Sequence, residues 1–228
     1  MTAPNRTRVI VGALAFLIGG LQYVTLEAIA AAAWRDPVYS YTYNYISDLG
    51  APGAEVVYLG RDIHSPLAAV MNTAFVLEGL LVALGAILLM VLLHGVARWA
   101  FVAFALLHAV GIVLVGFFPE TVGGGLGVFH TGGAYLAIVF SNLLALTVGL
   151  SARRMALPAW FRVTSLALPV LGFASEAALF SGLGDGRLDG LWERGGVYSF
   201  TVFQILFGLV VLAGATRKPR RDRVSSGL

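Results

Sequence analysis

Trp34–Ser65, WRDPVYSYTYNYISDLGAPGAEVVYLGRDIHS, is the one polar stretch of any length in this chain, and it stands between two long apolar runs. Its first half alternates Tyr39, Tyr41, Tyr43 and Tyr45 with Ser40, Thr42 and Asn44. Tyrosines between an apolar run and a polar loop match a membrane–water boundary, where the ring stays in the interface and the hydroxyl stays wet. A depth-setting aromatic belt accounts for the tyrosines but not for the Asn44-Tyr45-Ile46-Ser47-Asp48-Leu49-Gly50 run that follows. An interface has no need of an amide, a hydroxyl and a carboxylate so close together. The turn signal Gly50-Ala51-Pro52-Gly53 comes next. Residues 34–65 therefore read as an extramembrane loop with candidate site residues at its centre.

Outward from this loop the chain is apolar. Of its 228 residues 58% are hydrophobic and 12% charged, with a mean hydropathy of +0.85. A soluble domain carries about 25% charged residues, so the chain reads as an integral membrane protein. Six apolar segments can be drawn, at 9–33, 66–93, 100–118, 131–150, 162–181 and 195–215. Each is near or above the ~20 residues that a helix needs to cross a bilayer. The expected fold class is all-α, one transmembrane domain built as a six-helix bundle. Without cysteine, disulfides, thiolate catalysis and cysteine metal sites are all excluded.

The basic residues alternate with the spans. Arg6, Arg8, Arg98, Arg153, Arg154, Arg162, Arg217, Lys218, Arg220, Arg221 and Arg223 fall on one side, leaving Arg35, Arg61, Arg187 and Arg194 on the other. Positive charge marks the cytoplasmic side. Both termini are therefore expected inside the cell, with the 34–65 loop outside and a plasma membrane crossed several times. The tail, 216–228, is expected on the anionic leaflet or disordered. The pI near 9.4 follows from this topology and gives no reason to expect nucleic acid. Arg6, Arg8 and Ala28-Ile29-Ala30 also match the layout of a cleaved signal peptide. The length of that apolar run, and Gln22 and Glu27 within it, favour a retained span. Ser65 and Pro66 read as N-cap and first residue of the second helix, and Pro169 with Gly172 as a loosening of the fifth.

Ionisable residues inside spans are costly and mark functional hypotheses. At ~1.5 Å per residue, Glu27, Glu176 and Asn72 lie about 8–9 Å below the outer end, Gln204 about 13 Å, His108 about 15 Å and Glu78 about 18 Å. His130 opens the fourth span at the rim, and the inner half holds little beyond Ser and Thr. Polar groups thus gather beneath the loop, as an outward-opening, water-filled cavity requires. The alternative is that each one separately caps a helix end or bonds a neighbouring helix.

Glu78 and His108 sit at similar depth on helices joined by a short connection, so the two can meet if their faces agree; unpaired, Glu78 stays protonated. With Asp48 and His130 they are the candidate catalytic groups, suited to acid–base chemistry on a lipid or isoprenoid. Asn44, Ser47, Asn72, Glu120, Glu193, Arg194 and Tyr198 are the candidate ligand-binding residues. Arg194 and Tyr198 share a helix face, and a guanidinium there, like Arg61, suits a phosphate or carboxylate headgroup. Metal-assisted hydrolysis would draw on Glu27, Glu78, Glu176, His108 and His130. No His-Glu-x-x-His or His-x-x-x-His pairing is present, so no metal or other cofactor is expected. A Ser/His/acid set from Ser47 or Ser65, His64 or His130, and Asp48 lacks a nucleophile-elbow glycine pattern.

Taken in order, Asn44–Gly50, Ser65-Pro66 with Asn72 and Gly79, Gly116-Phe117-Phe118-Pro119, His130, and Glu193-Arg194 before Tyr198 form one set. Through this set, from about Ile10 to Leu212, the chain resembles the bacterial membrane proteins of the domain-of-unknown-function 998 family. The resemblance implies the six-span fold and brings no reaction with it. Two functions follow from the residues. One is binding of a lipid-like or small amphipathic molecule, with membrane lipids as partners; the other is intramembrane acid–base or metal-assisted catalysis on such a molecule. A transport path is disfavoured by the apolar inner half, and oligomeric state is left open.

The orientation has a direct test, because the chain has no cysteine of its own. On intact cells an impermeant thiol reagent is expected to label Ala54→Cys and spare Ser226→Cys. The reverse pattern overturns the orientation.

Overall fold

The computed structural model describes residues 3–52 and 56–216. The expected tail and the end of the Gly50–Gly53 turn lie outside these residues. Six helices dominate: α1 (Ala3–Ala33), α2 (Ala68–Leu89), α3 (Gly95–Phe117), α4 (Gly127–Ser151), α5 (Ala159–Phe180) and α6 (Asp189–Thr216). All six are long and apolar enough to cross a membrane, and the 22 residues of α2 reach about 33 Å. A helix satisfies its own backbone, which is the condition for crossing hydrocarbon. Ile18, Leu80, Val110, Val163, Val170 and Leu209 stand exposed along the outside of the bundle. The chain is thus an all-α, six-span membrane protein.

Several helices start before their apolar runs. α3 begins at Gly95, α4 at Gly127 and α6 at Asp189, where hydropathy alone places the starts at 100, 131 and 195. Hydropathy marks the hydrocarbon layer, whereas a helix continues through its polar first turns. The difference matters most at α6, which carries Glu193 and Arg194 inside the helix. α5 runs unbroken through Pro169.

Consecutive helices pack against one another and α6 returns to α1, so the six close into a ring; α4 also touches α6 across it. Alternating direction puts both ends of the chain on one face, here called the tail face, where Arg6 Nε donates to the Ala215 carbonyl at 2.9 Å. The opposite face carries residues 34–65 and is called the loop face. On the tail-face side the centre of the ring is filled by Phe16, Phe101, Phe161, Phe203 and Phe207, all fully buried. Their rings stack or meet edge-on, Phe203 to Phe207 at 5.5 Å and Phe16 to Phe207 at 5.3 Å. Dense packing of this kind holds helices together in lipid, where no hydrophobic force acts between them.

The loop folds into a plug. A short 3₁₀ turn, Ser47–Gly50, is followed by a hairpin of β1 (Val56–Tyr58) and β2 (Arg61–Ile63). Leu59 and Gly60 between the strands both have positive φ, 49° and 76°, the backbone that a two-residue hairpin requires. Trp34, Ile46, Leu49 and Ile63 are buried and seat the plug on the helices. Ser65 does not cap α2. The helix begins at Ala68 with no side-chain cap, and the Ser65 hydroxyl instead donates to the Leu49 carbonyl at 2.6 Å. A buried carbonyl of the turn needs that donor more than a helix end reachable by water does.

Asp48 is wholly buried at the heart of the plug. It accepts from Arg61 Nε at 2.9 Å, Asn44 Nδ2 at 3.0 Å and the Tyr45 N–H at 3.0 Å. The Arg61 guanidinium also lies 3.9 Å over the Tyr45 ring. One ion pair therefore ties the 3₁₀ turn to the hairpin. Arg61→Met strands the Asp48 carboxylate and is expected to cost about 3–5 kcal/mol, read as a lower melting temperature of the purified protein. Adding Asp48→Asn removes the stranded charge and recovers part of the loss; an Arg61→Met protein as stable as its parent overturns this role.

Candidate functional site

Two adjoining chambers lie on the loop-face side of the phenylalanine core. The deeper has about 40 Å³ open to water centres and is walled by Tyr23, Phe75, Glu78, His108, Ile112, Val115 and Phe200. The wider, a vestibule of about 240 Å³ on the same measure, is walled by Tyr45, Tyr58, Glu120, Tyr135, Glu176 and Phe180. Ser47, His130, Ala134, Ile138 and Glu193 line both. One water needs about 10–15 Å³ of such volume, so the deep chamber has room for a few waters and the vestibule for a larger group.

Glu78 on α2 and His108 on α3 meet at the deep end, His108 Nε2 lying 2.7 Å from Glu78 Oε2. His108 Nδ1 is 2.8 Å from the Ala137 carbonyl of α4. A carbonyl only accepts, so Nδ1 carries a hydrogen and Nε2 shares the second proton with the carboxyl. Neutral acid with imidazole, or carboxylate with imidazolium, satisfies the geometry equally. His130 is tied in the same manner, its Nδ1 donating to the Phe118 carbonyl at 2.8 Å. In the neutral ring Nε2 is then the free acceptor, on the wall shared by the two chambers.

Three further carboxyl groups surround the vestibule. Glu120 accepts from the Ser47 hydroxyl at 2.8 Å through Oε2. Burial, then the hydrogen bond and charge of neighbouring Asp48, raise this carboxyl well above its ordinary range and favour its protonated form. Glu193 accepts from the Ile46 N–H at 2.5 Å, so α6 holds the loop directly where both chambers pass. Glu176 on α5 has no hydrogen-bonding partner for its buried Oε1. That oxygen rests over Gly196, where any Cβ would collide with it; glycine at 196 makes the space for the acid.

Arg194 is buried, and its Nη1 donates to the carbonyls of Tyr41, Asn44 and Gly190 at 2.9, 2.8 and 3.0 Å. Its Nη2 reaches Glu27 Oε1 at 3.1 Å and the Tyr39 hydroxyl. Tyr198, on the same face of α6, donates to the other Glu27 oxygen at 2.7 Å. Arg194 thus clamps the loop to α1 and α6. Neither it nor Arg61 lines a chamber.

Of the residues singled out from sequence, Glu78, His108, His130, Ser47, Glu120 and Glu193 line the chambers. Asp48, Asn44, Arg194 and Tyr198 belong to the bonds that hold the plug, and Asn72 Nδ2 donates to the Gly50 carbonyl at 2.8 Å. Ser65 is tied to Leu49 and His64 is exposed, its Nδ1 3.3 Å from the Asp36 carbonyl. Tyr23 is a wall that the sequence reading did not single out, and Glu176, read there as a carboxyl inside a span and a possible metal ligand, stands on the vestibule wall. Among the described residues no three His, Asp or Glu side chains lie close enough to hold one metal ion.

These features define a class: a multi-pass membrane protein with buried polar groups gathered beneath one folded loop. The chain belongs to the family described as "Protein of unknown function (DUF998)", whose model matches residues 10–210. No curated protein and no solved structure matches it.

The Glu78–His108 contact predicts a non-additive pair. Glu78→Ala and His108→Ala should each destabilise the purified protein, and the double variant should be less harmful than their sum by about 0.5–3 kcal/mol. Strict additivity in thermal or denaturant unfolding removes the pair as a coupled unit.

Proposed function

We propose that the protein binds a lipid-like, amphipathic molecule in these chambers, entering from a loop face that lies outside the cell. One observation carries the reading: the vestibule wall bears both polar and apolar side chains. Ser47, Glu120, His130, Glu176 and Glu193 stand on it with Ala134, Ile138, Leu179 and Phe180. Tyr135 of α4 and Phe180 of α5 stack on it at 5.4 Å and are 48% and 60% exposed, marking a seam between these helices. A chain can lie along this seam towards lipid while its head rests among the polar groups. Passage through to the tail face is opposed by the phenylalanine core, which supports binding over transport.

Acid–base catalysis on the bound molecule is the second reading, and the Glu78–His108 pair favours it. A proton shared across 2.7 Å beside a chamber is within reach of a bound group. His130 Nε2, nearer the vestibule, is the accompanying base. Glu78→Gln keeps the side chain's shape and removes its proton chemistry, so under this reading binding survives and turnover does not.

The binding reading is tested by mass spectrometry of the full chain purified in mild detergent. Wild type is expected to retain a non-covalent amphiphile, and Ala134→Trp, which fills the wall common to both chambers, to lose it while still melting cooperatively. Wild type carrying nothing, or the variant carrying as much, overturns the proposal.

A further inference from the structure

We infer that the head group accepted by the vestibule is a cationic amine rather than a phosphate or carboxylate; this deepens the binding reading above and rests on it. The loop face has arginines, but among the described residues no Arg or Lys stands on a chamber wall. Arg61 is closed into Asp48 and Arg194 into Glu27, each nine-tenths buried or more. The vestibule wall instead presents Glu120, Glu176 and Glu193.

The second observation is unmet hydrogen bonding. Glu176 is 8% exposed and its buried Oε1 has no partner among the described residues, whereas Glu120 is drawn towards its protonated form by Asp48. As a carboxylate Glu176 only accepts, so what its oxygen lacks is a donor. An ammonium group carries three donors, no acceptor and a charge of the opposite sign. A phosphate brings only acceptors and like charge to the same place. The His130 ring, with Nδ1 already given to Phe118, offers a further acceptor through Nε2. A neutral alcohol supplies a single donor and brings no charge.

Three amphiphiles of equal chain length separate these cases: dodecylamine, dodecanol and dodecyl phosphate, titrated into the full chain in neutral detergent and followed by thermal shift. Partition into micelles is removed by subtracting the response of Ala134→Trp. Dodecylamine is expected to bind at least tenfold more tightly than either of the others. Glu176→Gln and Glu120→Gln, which keep the shape of the wall, should each reduce that preference. The inference is overturned if the phosphate equals or exceeds the amine, or if both Gln variants keep the full preference. Binding of all three without distinction sinks the head-group assignment and leaves the binding reading standing; binding of none removes both. The same amine chemistry occurs on bilayer lipids and on single-chain amphiphiles. Enrichment of amine-headed lipids in the co-purified extract over the bulk membrane identifies the first source, and amine preference without such enrichment identifies the second.

Discussion

Arg194 is the interaction on which the rest of the loop-face half depends. A guanidinium at that depth is tolerable only where its charge and most of its donors are answered nearby, and here Nη1 and Nη2 are, while Nε has no partner among the described residues. The answers come from three directions: Glu27 on α1, the Tyr39 hydroxyl, and the carbonyls of Tyr41 and Asn44 in the loop. Satisfying one buried cation therefore fixes where the loop crosses the ring. Once Asn44 is fixed, Asp48 is delivered to Arg61 and Ser47 to Glu120. The chambers exist because the loop is held across the bundle by polar bonds instead of sinking into it.

The bundle is divided by chemistry along its axis. Towards the tail face, phenylalanines on α1, α3, α5 and α6 fill the ring. Towards the loop face, Glu78, His108, Asn142 and Gln204 keep polar atoms in the interior. Buried carboxyl and imidazole groups in a membrane need partners or protons, and here Glu78 meets His108 directly while Glu27 meets Arg194. The phenylalanine layer gives the polar half a dry floor, and the plug gives it a roof.

How much of this was legible in the sequence depended on geometry. Position along a helix axis follows from counting residues, so the six spans and the similar depth of Glu78 and His108 could be read before any coordinates. Rotation about the axis, and the path of a loop, do not follow from counting. Arg61 and Arg194 therefore looked like free headgroup ligands, although their partners Asp48 and Glu27 are present in the same sequence. The β-hairpin was hidden because Leu59, a residue that rarely adopts positive φ, occupies half of its turn. Ser65 read as a cap because its distant partner, the Leu49 carbonyl, cannot be seen from its neighbours in the chain.

The two histidines have a mechanical consequence. His108 reaches from α3 to the Ala137 carbonyl of α4, and His130 reaches back from α4 to the Phe118 carbonyl at the end of α3. Each helix is thus pinned to the other's backbone at two heights, in opposite directions. Sliding one helix along the other strains both bonds, so the two histidines oppose that motion. Any widening of the vestibule then falls to the opposite jamb, α5. That helix carries Glu176 and Phe180 and has no side-chain hydrogen bond to α4 among the described residues. The doorway has one fixed post and one that can swing.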